Sequence, residues 1–281
     1  MLTDIVIGAV TNYNYDQIKY WANSLDRSGF EGAKMLFCYD IDDETIKRLN
    51  DRNYYIARIG GDGKLIMTER FYHYWMILNM IEKEEQYRYV IATDVGDVVF
   101  QQNPSIYLSK VLGKKYKINA SSESIRYKDE VWGRNNLRNS FGELVYDYHK
   151  ENIILNAGVI AGEFKYIKDL FLNIFLTSGG APKHVDGGGG PDQAAYNIIM
   201  NSLSVSQMVN VSTSEDGWAA QLGTTKDPSK IQQYKPYLLD PEPIMVGDMV
   251  CTSKTKKPFY IVHQYNRIPG WKEVLESKFN D

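Results

Sequence analysis

The stretch YRYVIATDVGDVVFQQNP, Tyr87–Pro104, contains the clearest signal of an open sheet with a binding edge. An apolar run from Tyr89 to Ala92 has the character of a buried strand, and two carboxylates, Asp94 and Asp97, follow it. Hydrophobic residues then resume at Val98–Phe100. In an open α/β sheet, ligands bind outside the carboxyl ends of the strands, so the two aspartates mark a candidate binding edge.

The residues before this stretch alternate between strand and helix patterns. Ile18, Trp21 and Leu25 recur at helical spacing between two runs that are rich in β-branched and aromatic residues. Strands are predicted at 4–11, 33–40 and 54–60, and helices at 15–29, 43–53 and 67–85. Strands joined by helical crossovers predict an α/β protein with an open, mostly parallel, twisted sheet flanked by helices.

The pattern after Pro104 is less regular. Strands are predicted at 116–123, 153–164, 204–211 and 259–265, and helices at 106–113, 165–178 and from Pro191 onward. The polar stretch 121–142 is too rich in charge and asparagine for a core, so we expect a long loop or an excursion over the sheet. No linker interrupts the chain, which predicts a single domain, 1–281.

Composition excludes several classes of protein. The 281 residues are 43% hydrophobic and carry a formal net charge of −3, without the basic excess of a nucleic-acid-binding protein. Only Cys38 and Cys251 occur, which argues against a disulfide framework or zinc site and favours a reducing compartment. No signal peptide and no run of about 20 apolar residues is present. We expect a cytoplasmic protein with no membrane span and no nucleic-acid partner.

The two aspartates suggest a cation site. Three positions apart with Gly96 between them, which allows an unusual turn, Asp94 and Asp97 could point into one crevice and hold a hard divalent cation. Without a cation, their mutual repulsion disfavours such an arrangement. The alternative is that Asp94 caps a turn and Asp97 is solvated, as aspartates after strands often are.

Other polar residues occur at predicted strand and helix ends. Asn156, in the segment LNAG, lies at a strand end and could hydrogen-bond sugar hydroxyls, or it is a turn asparagine. Asp192 and Gln193 follow GGGGP, where a closely approaching backbone or a surface loop with an N-capping aspartate is expected. His263 ends an apolar strand and is a ligand or a structural histidine. Arg70 lies on the predicted helix before the strand that ends at Asp94, and we expect it either to reach a phosphate or to form a surface ion pair.

Taken in order, these features resemble a known family. A strand-terminal D-x-x-D, then N-A-G, then P-D-Q, then a histidine followed by G-W-K is similar to the metal-dependent nucleotide-sugar glycosyltransferases of the GT-A fold, especially the glycogenin-like and lipopolysaccharide galactosyl/glucosyltransferases. The stretch 120–142 also resembles glycosyltransferases encoded by large DNA viruses of algae, which would place the protein in the host cytoplasm. The resemblance covers roughly Asp4 to Lys272. The family has D-x-D and H-x-x-G-x-x-K-P-W, whereas here six residues separate His263 from Gly270 and no proline follows Lys272.

The resemblance implies a donor and a cation. The donor is a nucleoside diphosphate sugar, with UDP the family's usual nucleotide, and the half 1–104 binds its nucleotide. Mn²⁺ or Mg²⁺ is held by Asp94, Asp97 and His263 and neutralises the departing diphosphate. The donor-binding residues implied are Thr11, Asn12, Tyr13, Arg70, Asp94 and Lys272.

The resemblance also implies roles in the half 105–281, which binds the sugar and the acceptor. Asp192, Asn156 and Gln193 are the candidate catalytic residues; Asp192 is the carboxylate nearest the anomeric carbon, and Gln193 supports it. Transfer retains configuration in the related families. A glycan or protein acceptor binds under the excursion 121–142, through residues such as Arg126, Asp129, Glu130 and Trp132, unless these only form a solvated loop.

Three other functions are alternatives to the glycosyltransferase hypothesis. An aspartate-nucleophile phosphatase has its aspartates directly after the first strand, not near residue 95. A sugar nucleotidyltransferase has a glycine-rich, Arg- or Lys-bearing loop there, and VTNYNYDQ at 10–17 has none. A catalytically silent glycan- or nucleotide-sugar-binding protein stays open, because transfer leaves no distinct residue signature.

Overall fold

A computed structural model of the chain describes residues 3–61, 66–82, 87–179, 181 and 189–280. The predicted glycine-rich run before Pro191 therefore lies largely outside the described residues. None of the described helices is both long enough and apolar enough to cross a lipid bilayer.

The first half alternates strands and helices, as predicted. Its elements are β1 (Thr3–Thr11), α1 (Tyr15–Arg27), β2 (Ala33–Tyr39), α2 (Asp43–Asn50), β3 (Tyr55–Ile59), α3 (Ile66–Ile81), β4 (Tyr87–Thr93) and β5 (Val98–Phe100). Local signals begin the helices: the Asn14 side chain accepts from the Gln17 N–H at the start of α1, and Asp42 accepts from the Thr45 N–H at the start of α2.

The second half contains longer strands and a C-terminal group of short elements. The longer elements are α4 (Pro104–Val111), β6 (Ile118–Arg126), α5 (Val131–Phe141), α6 (Glu143–His149), β7 (Ile153–Glu163), α7 (Phe164–Ser178) and α8 (Asp192–Met200). The rest are α9 (Leu203–Ser206), β8 (Val209–Ser212), β9 (Ala219–Gln221), α10 (Leu222–Thr225), α11 (Ile231–Tyr234), β10 (Ile244–Val246), β11 (Met249–Cys251), β12 (Ile261–His263) and α12 (Pro269–Lys278).

Within the described residues, seven strands form one sheet in the order β3-β2-β1-β4-β7-β6-β8. The neighbours of β1 and β2 are all parallel, as are β6 and β8, whereas β7 runs antiparallel to both β4 and β6. The predicted mixed α/β architecture with an open, mostly parallel sheet flanked by helices is confirmed. Beside it, β5, β12 and β9 form a small sheet, in which β12 pairs antiparallel with β5 and parallel with β9.

Strand β1 shows why the sheet is buried on both faces. Successive side chains of a strand point to opposite faces. Ile5 and Ile7 accordingly pack in the cluster that contains Phe71 of α3, and Val6 packs in the cluster that contains Trp21 of α1. All three β1 side chains are fully buried. Helices on both faces explain the continuous apolar character of this strand.

Two predicted segments are wrong. The stretch 121–142 is neither a loop nor an excursion: β6 continues beyond the predicted strand 116–123 to Arg126, and α5 forms most of the second part. Ile125, Tyr127 and Leu137 are buried there in one cluster with Ala194 of α8. These widely spaced apolar residues bury against distant parts of the chain, and local composition does not show such contacts. Residues 204–211, predicted as one strand, are divided between α9 and β8.

The direction of β7 changes the interpretation of Asn156. We expected this residue at the end of a strand, but it is the fourth residue of the eleven in β7. Because β7 runs antiparallel to β4, the beginning of β7 lies at the same edge of the sheet as the carboxyl end of β4. Asn156 is therefore at the expected edge, although it is not at a strand's carboxyl end.

Candidate active site

A cavity of about 360 Å³ opens where β4 leaves the sheet. Its wall includes Asp94 after β4, Glu123 of β6, Asn156 of β7, Asp192 of α8 and His263 of β12. Five elements that are distant in sequence therefore contribute polar side chains to one space, as expected for a ligand site at the edge of an open α/β sheet.

Backbone hydrogen bonds bring the two aspartates and the histidine together. The Asp94 N–H donates to the Gly158 carbonyl of β7 at 2.8 Å. The Asp97 carbonyl accepts from the N–H of Gln264, the residue after His263, at 2.7 Å. Because β5 pairs with β12 in a register that places Val98 opposite His263, the turn 94–97 is held between the two sheets.

The three side chains form a compact cluster that could hold a cation. His263 Nε2 lies 3.5 Å from Asp94 Oδ2 and 3.5 Å from Asp97 Oδ1, and one ligand atom from each residue lies within 4.8 Å of the others. Around an octahedrally coordinated ion, each ligand atom is about 2.1 Å from the ion, and neighbouring ligand atoms are about 3 Å apart. The distances between the ligand atoms of this cluster would therefore have to shorten slightly to bind such an ion. Within the described residues, the buried His263 Nε2 has no hydrogen-bond partner.

The other ring nitrogen of His263 has a defined proton. Gln221 lies opposite His263 in the pairing of β9 with β12, and its Oε1 is 2.7 Å from His263 Nδ1. Gln221 Nε2 donates to Ser121 Oγ at 2.8 Å, and Ser121 Oγ donates to the Ala219 carbonyl. The amide oxygen of Gln221 therefore faces the ring and accepts from Nδ1–H, which leaves the Nε2 lone pair of a neutral ring for a cation.

The pKa values reflect how closely these charges are packed. Burial by itself lowers the pKa of His263, but the negative charges of Asp97 and Asp94 outweigh it and raise this pKa to about 9. Burial raises the pKa of Asp94, but Arg70 and His263 outweigh burial and hold this pKa well below its ordinary value. In the absence of a cation, a proton on His263 thus compensates the carboxylates, and a divalent cation would replace that proton.

Gly158 makes room for the cluster. A Cβ at this position would overlap His263 Cε1 and would lie 2.7 Å from Asp94 Oδ2 and 2.9 Å from Asn156 Oδ1. The glycine of the N-A-G segment is therefore required by close packing of the cluster and not by backbone conformation, since its φ is not positive. Gly96 serves in the same way, because a Cβ there would lie 2.5 Å from the Tyr13 hydroxyl. The unusual turn expected at Gly96 is absent, as its φ is not positive either.

Arg70 of α3 joins two of the predicted acids. Its guanidinium is 2.5 Å from Asp94 Oδ1 through Nη1 and 3.2 Å from Asp192 Oδ2 through Nη2. Arg70 and Asp192 are both buried. The surface ion pair expected as one alternative is therefore wrong: Arg70 is buried, compensates two carboxylates and lies in the wall of this cavity and of the neighbouring one. Burial raises the pKa of Asp192, an effect that Arg70 opposes and Asp94 reinforces.

A buried carboxylate that was not predicted, Glu123, organises the other candidate residues. Its Oε1 accepts from Asn156 Nδ2 at 2.8 Å and from Gln193 Nε2 at 3.0 Å, and its Oε2 accepts from Thr224 Oγ1 at 2.7 Å. The Asn156 oxygen accepts from the Gly158 N–H at 2.7 Å. Asn156 and Gln193 therefore line the cavity while supporting Glu123. Burial and nearby Glu130 raise the pKa of Glu123.

An irregularity in β6 accompanies Glu123. The register between β6 and β7 shifts between Ser122 and Arg126, and Ser124 adopts a left-handed conformation with φ of 58°. Strained backbone of this kind persists where the surroundings enforce it, as the bond from Ser124 Oγ to Asp240 Oδ2 at 2.8 Å does here. The available signal was an acid in the strand sequence INASSESIR, which is otherwise uncharged up to its last residue.

A second cavity, of about 340 Å³, adjoins the first along the aspartate turn. Thr11 and Tyr13, at the end of β1, line it together with Asp94 and Asp97. The two cavities share four residues: Met67, Arg70, Asp94 and Asp97. Asn12, also predicted here, has a positive φ of 53° and lines a separate pocket, to which Tyr13 also contributes.

The predicted role of Lys272 is not supported by its position. It lies on α12 outside both cavities, and its side chain is 44% exposed and 4.0 Å from Glu276 Oε1. After His263 the chain passes through Gln264 at φ of 62° and a 3₁₀ turn before α12, and the spacing of sequence motifs does not show this path. Two cations that were not predicted, Arg267 and Lys230, line the first cavity instead.

The four residues expected to bind the acceptor are divided between two places. Glu130 and Trp132 line the first cavity. Glu130 caps α5 by accepting from the Gly133 N–H and accepts from the Tyr234 hydroxyl at 2.6 Å. Arg126 instead donates to the Glu151 carbonyl at 2.6 Å, and neither Arg126 nor Asp129 lines the cavity. Gly189 and Gly190, which lie within the described residues, also line this cavity, and a Cβ added to them would meet Trp132 at 3.1 Å and Met67 at 3.0 Å.

Comparison with known proteins adds no family to this description. No protein-family model matches the sequence, and no curated protein matches it. Assignment of a function therefore depends on the geometry of the site.

Proposed function

We propose that the protein is a metal-dependent glycosyltransferase that moves a sugar from a nucleoside diphosphate sugar to a glycan or protein acceptor. The observation that carries this proposal is the cluster of Asp94, Asp97 and His263, whose buried Nε2 has no hydrogen-bond partner in the described part of the chain. The resemblance of the D-x-x-D, N-A-G and P-D-Q segments to GT-A glycosyltransferases agrees with it.

The arrangement of the cavities supports a donor in two parts. A nucleoside diphosphate sugar has a nucleoside and a sugar on either side of a diphosphate. The two cavities meet along Asp94 and Asp97, so a diphosphate at this junction would place the nucleoside against Thr11 and Tyr13 and the sugar in the first cavity. UDP is the nucleotide that the resemblance suggests.

Asp94, Asp97 and His263 would hold Mn²⁺ or Mg²⁺. When bound, the cation supplies positive charge for the departing diphosphate, the largest change of charge in the reaction. Arg70 keeps Asp94 ionised and oriented, and Gln221 keeps the proton of His263 on Nδ1. These contacts fix the ligand atoms before the donor arrives, which limits the cost of reorganisation.

The acids of the first cavity would bind the donor sugar. Asp192 is the candidate carboxylate nearest the anomeric carbon, and its contact with Arg70 fixes its orientation. Glu123, held by Asn156 and Gln193, would accept hydrogen bonds from sugar hydroxyls. The acceptor would enter beside Trp132, and retention of configuration follows from the resemblance. Both cysteines are buried free thiols, in keeping with the reducing, cytoplasmic environment that we propose.

To test this proposal, the protein is incubated with a panel of UDP- and GDP-sugars, with and without Mn²⁺, and the release of nucleoside diphosphate is measured. Release that requires Mn²⁺ and is lost in Asp97→Ala, with the thermal transition unchanged, is the expected result. Phosphate release from a simple ester would indicate a phosphatase. Consumption of pyrophosphate in the presence of a sugar nucleotide would indicate a nucleotidyltransferase. Binding of sugar nucleotides or glycans without turnover would indicate a binding protein; each of these three results contradicts the proposal.

A further inference from the structure

The first cavity contains a cation, Arg267, that has no role in the proposed binding of the metal ion and the sugar. Arg267 lies at the mouth of the cavity with an exposed side chain. Within the described residues its guanidinium has no ion pair, whereas other basic side chains near the cavity do: Arg70 contacts Asp94 and Asp192, and Lys226 contacts Glu242 at 3.0 Å. An arginine without a counter-ion beside an acidic cavity is available for an anionic ligand.

The backbone ties Arg267 to the aspartate turn. The Arg267 N–H donates to the Gln264 carbonyl at 3.2 Å, and the Gln264 N–H donates to the Asp97 carbonyl at 2.7 Å. Two hydrogen bonds therefore separate Arg267 from a predicted cation ligand. Lys230, the other cation without an ion pair in the described part of this cavity, has no such connection to the cluster.

Gly223 makes room for the Arg267 side chain. A Cβ at residue 223 would lie 2.7 Å from Arg267 Nη1 and would overlap Gln264 Oε1. That oxygen accepts from the Gly223 N–H at 2.9 Å, which holds Gln264 in its left-handed conformation. The guanidinium thus lies beside a residue without a side chain, and a methyl group at residue 223 would displace it.

We propose that Arg267 binds the diphosphate of the donor, in place of the Lys272 that the resemblance implied. This proposal rests on the proposed function. A diphosphate at the junction of the cavities would lie against Asp94 and Asp97, whose negative charge repels it unless cations compensate. The guanidinium fork of Arg267 offers paired N–H donors to phosphate oxygens, and such charge-assisted bonds are among the strongest in proteins.

The test is calorimetric titration of UDP, GDP and ADP, each with Mn²⁺, into the wild-type protein and three variants. Arg267→Ala should weaken binding of the preferred nucleoside diphosphate about tenfold or more, the usual effect of losing a charged hydrogen bond. The loss should be smaller for the corresponding monophosphate. Gly223→Ala should weaken diphosphate binding as well, because it displaces Arg267. Lys272→Ala should bind as the wild type does.

The outcomes separate this proposal from the one on which it rests. Arg267→Ala with wild-type affinity for the diphosphate, or a comparable loss in Lys272→Ala, would overturn the role of Arg267 and leave glycosyl transfer standing. A wild-type protein that binds none of the three diphosphates would overturn both. Because the Arg267 side chain is exposed, the melting temperature of Arg267→Ala should equal that of the wild type, so a change in affinity reports on binding.

Discussion

His263 has two ring nitrogens in very different surroundings. Nδ1 bonds Gln221 at 2.7 Å, while Nε2 faces two carboxylates without a hydrogen bond to any described residue. In metal sites the second nitrogen of a ligating histidine usually bonds a group that fixes the proton and the ring orientation. Gln221 has that position here.

Gln221→Leu should therefore weaken Mn²⁺ binding about 10- to 100-fold. The buried Nδ1–H of His263 would lose its acceptor, and the imidazole ring would no longer be held in its orientation. Titration of Mn²⁺ followed by electron paramagnetic resonance measures the affinity. Gln101→Leu is the matched control: Gln101 donates to the Val250 and Phe259 carbonyls, so its loss should lower stability and leave the affinity unchanged. Equal affinities in Gln221→Leu and the wild type would contradict the assigned role.

The sequence predicted some of these residues better than others. Asp94 and Asp97 directly follow an apolar run, so their place at the edge of a sheet could be predicted from the sequence. His263 also ends an apolar run, but β12 belongs to the small sheet, so its approach to the aspartates depends on the pairing of β5 with β12. Glu123 lies inside a strand, not at a strand end. The register shift of β6 near this residue is a feature of the folded sheet, so the sequence alone did not indicate that Glu123 lines the cavity. The sequence did not indicate that Arg267, and not Lys272, lies in the cavity wall. The left-handed conformation of Gln264 sets the path of the chain after His263 and so places Arg267 there.

At the scale of elements, β7 carries the site although it runs against β4. Its N-A-G segment supplies the Gly158 carbonyl to Asp94 and a position without a side chain beside His263. Gly158→Ala should displace His263 and Asp94 and lower Mn²⁺ affinity more than about tenfold, since overpacked sites shift their neighbours.

The control for this change is Gly113→Ala. Gly113 has open space around it, and its φ is not positive, so a methyl group there should change neither the affinity nor the melting temperature. Isothermal calorimetry with Mn²⁺ measures both variants. If Gly158→Ala binds Mn²⁺ as tightly as Gly113→Ala, the cluster does not depend on this close packing.

A second set of contacts holds the first three strands and their helices together. Asp26 near the end of α1 accepts from Lys34 of β2 at 2.8 Å, from Arg52 at 2.5 Å and from the Tyr54 hydroxyl at 2.9 Å. Burial raises the pKa of Asp26, but the bonds from Lys34, Arg52 and Tyr54 outweigh burial and leave the pKa below its ordinary value.

Asp26→Asn should lower the free energy of unfolding at pH 7 by about 2 kcal/mol, because Lys34 and Arg52 lose a compensating negative charge and one of the two acceptor oxygens becomes an NH₂ group. A carboxylate with a lowered folded-state pKa stabilises the protein above its unfolded-state pKa and loses that effect as pH falls below it. The difference from the wild type should therefore shrink below about pH 4. Urea unfolding at several pH values measures this. Asp16→Asn, an exposed acid of α1, should change little; a pH-independent difference for Asp26→Asn would contradict the assignment.

Local patterns predicted the elements of the first half because each strand and helix there carries its own signal. The stretch 121–142 could not be predicted in this way. Its polar composition is typical of a loop, but Tyr127 and Leu137 are buried through contacts with α8, more than fifty residues away in the chain. Contacts of that kind depend on the fold and not on the neighbouring residues.

At the scale of the whole molecule, the site joins elements from both halves of the chain. Cation and donor together contact the aspartate turn, β12 and the elements of the first cavity in the proposed complex, so their binding should stabilise the folded protein. At 100 times the dissociation constant a ligand adds about 2.7 kcal/mol to the free energy of unfolding. For a chain of this size, that corresponds to an increase of about 5 °C or more in the melting temperature.

Differential scanning fluorimetry with Mn²⁺ and UDP, separately and together, measures this effect. The increase should be largest with both ligands and should be absent in Asp97→Ala, which lacks one of the proposed cation ligands. An equal increase in Asp97→Ala would show that the ligands bind elsewhere.

In the proposed complex, Asp94, Asp97 and His263 hold a divalent cation against the diphosphate of the donor. A crystal structure of the protein with Mn²⁺ and UDP, with an anomalous difference map recorded for manganese, tests it most directly. We predict one strong peak between Asp94, Asp97 and His263 Nε2, about 2.1 to 2.3 Å from the ligand atoms, with phosphate oxygens completing its coordination. A map without a peak at this position, with UDP bound in the cavity, would contradict the claim.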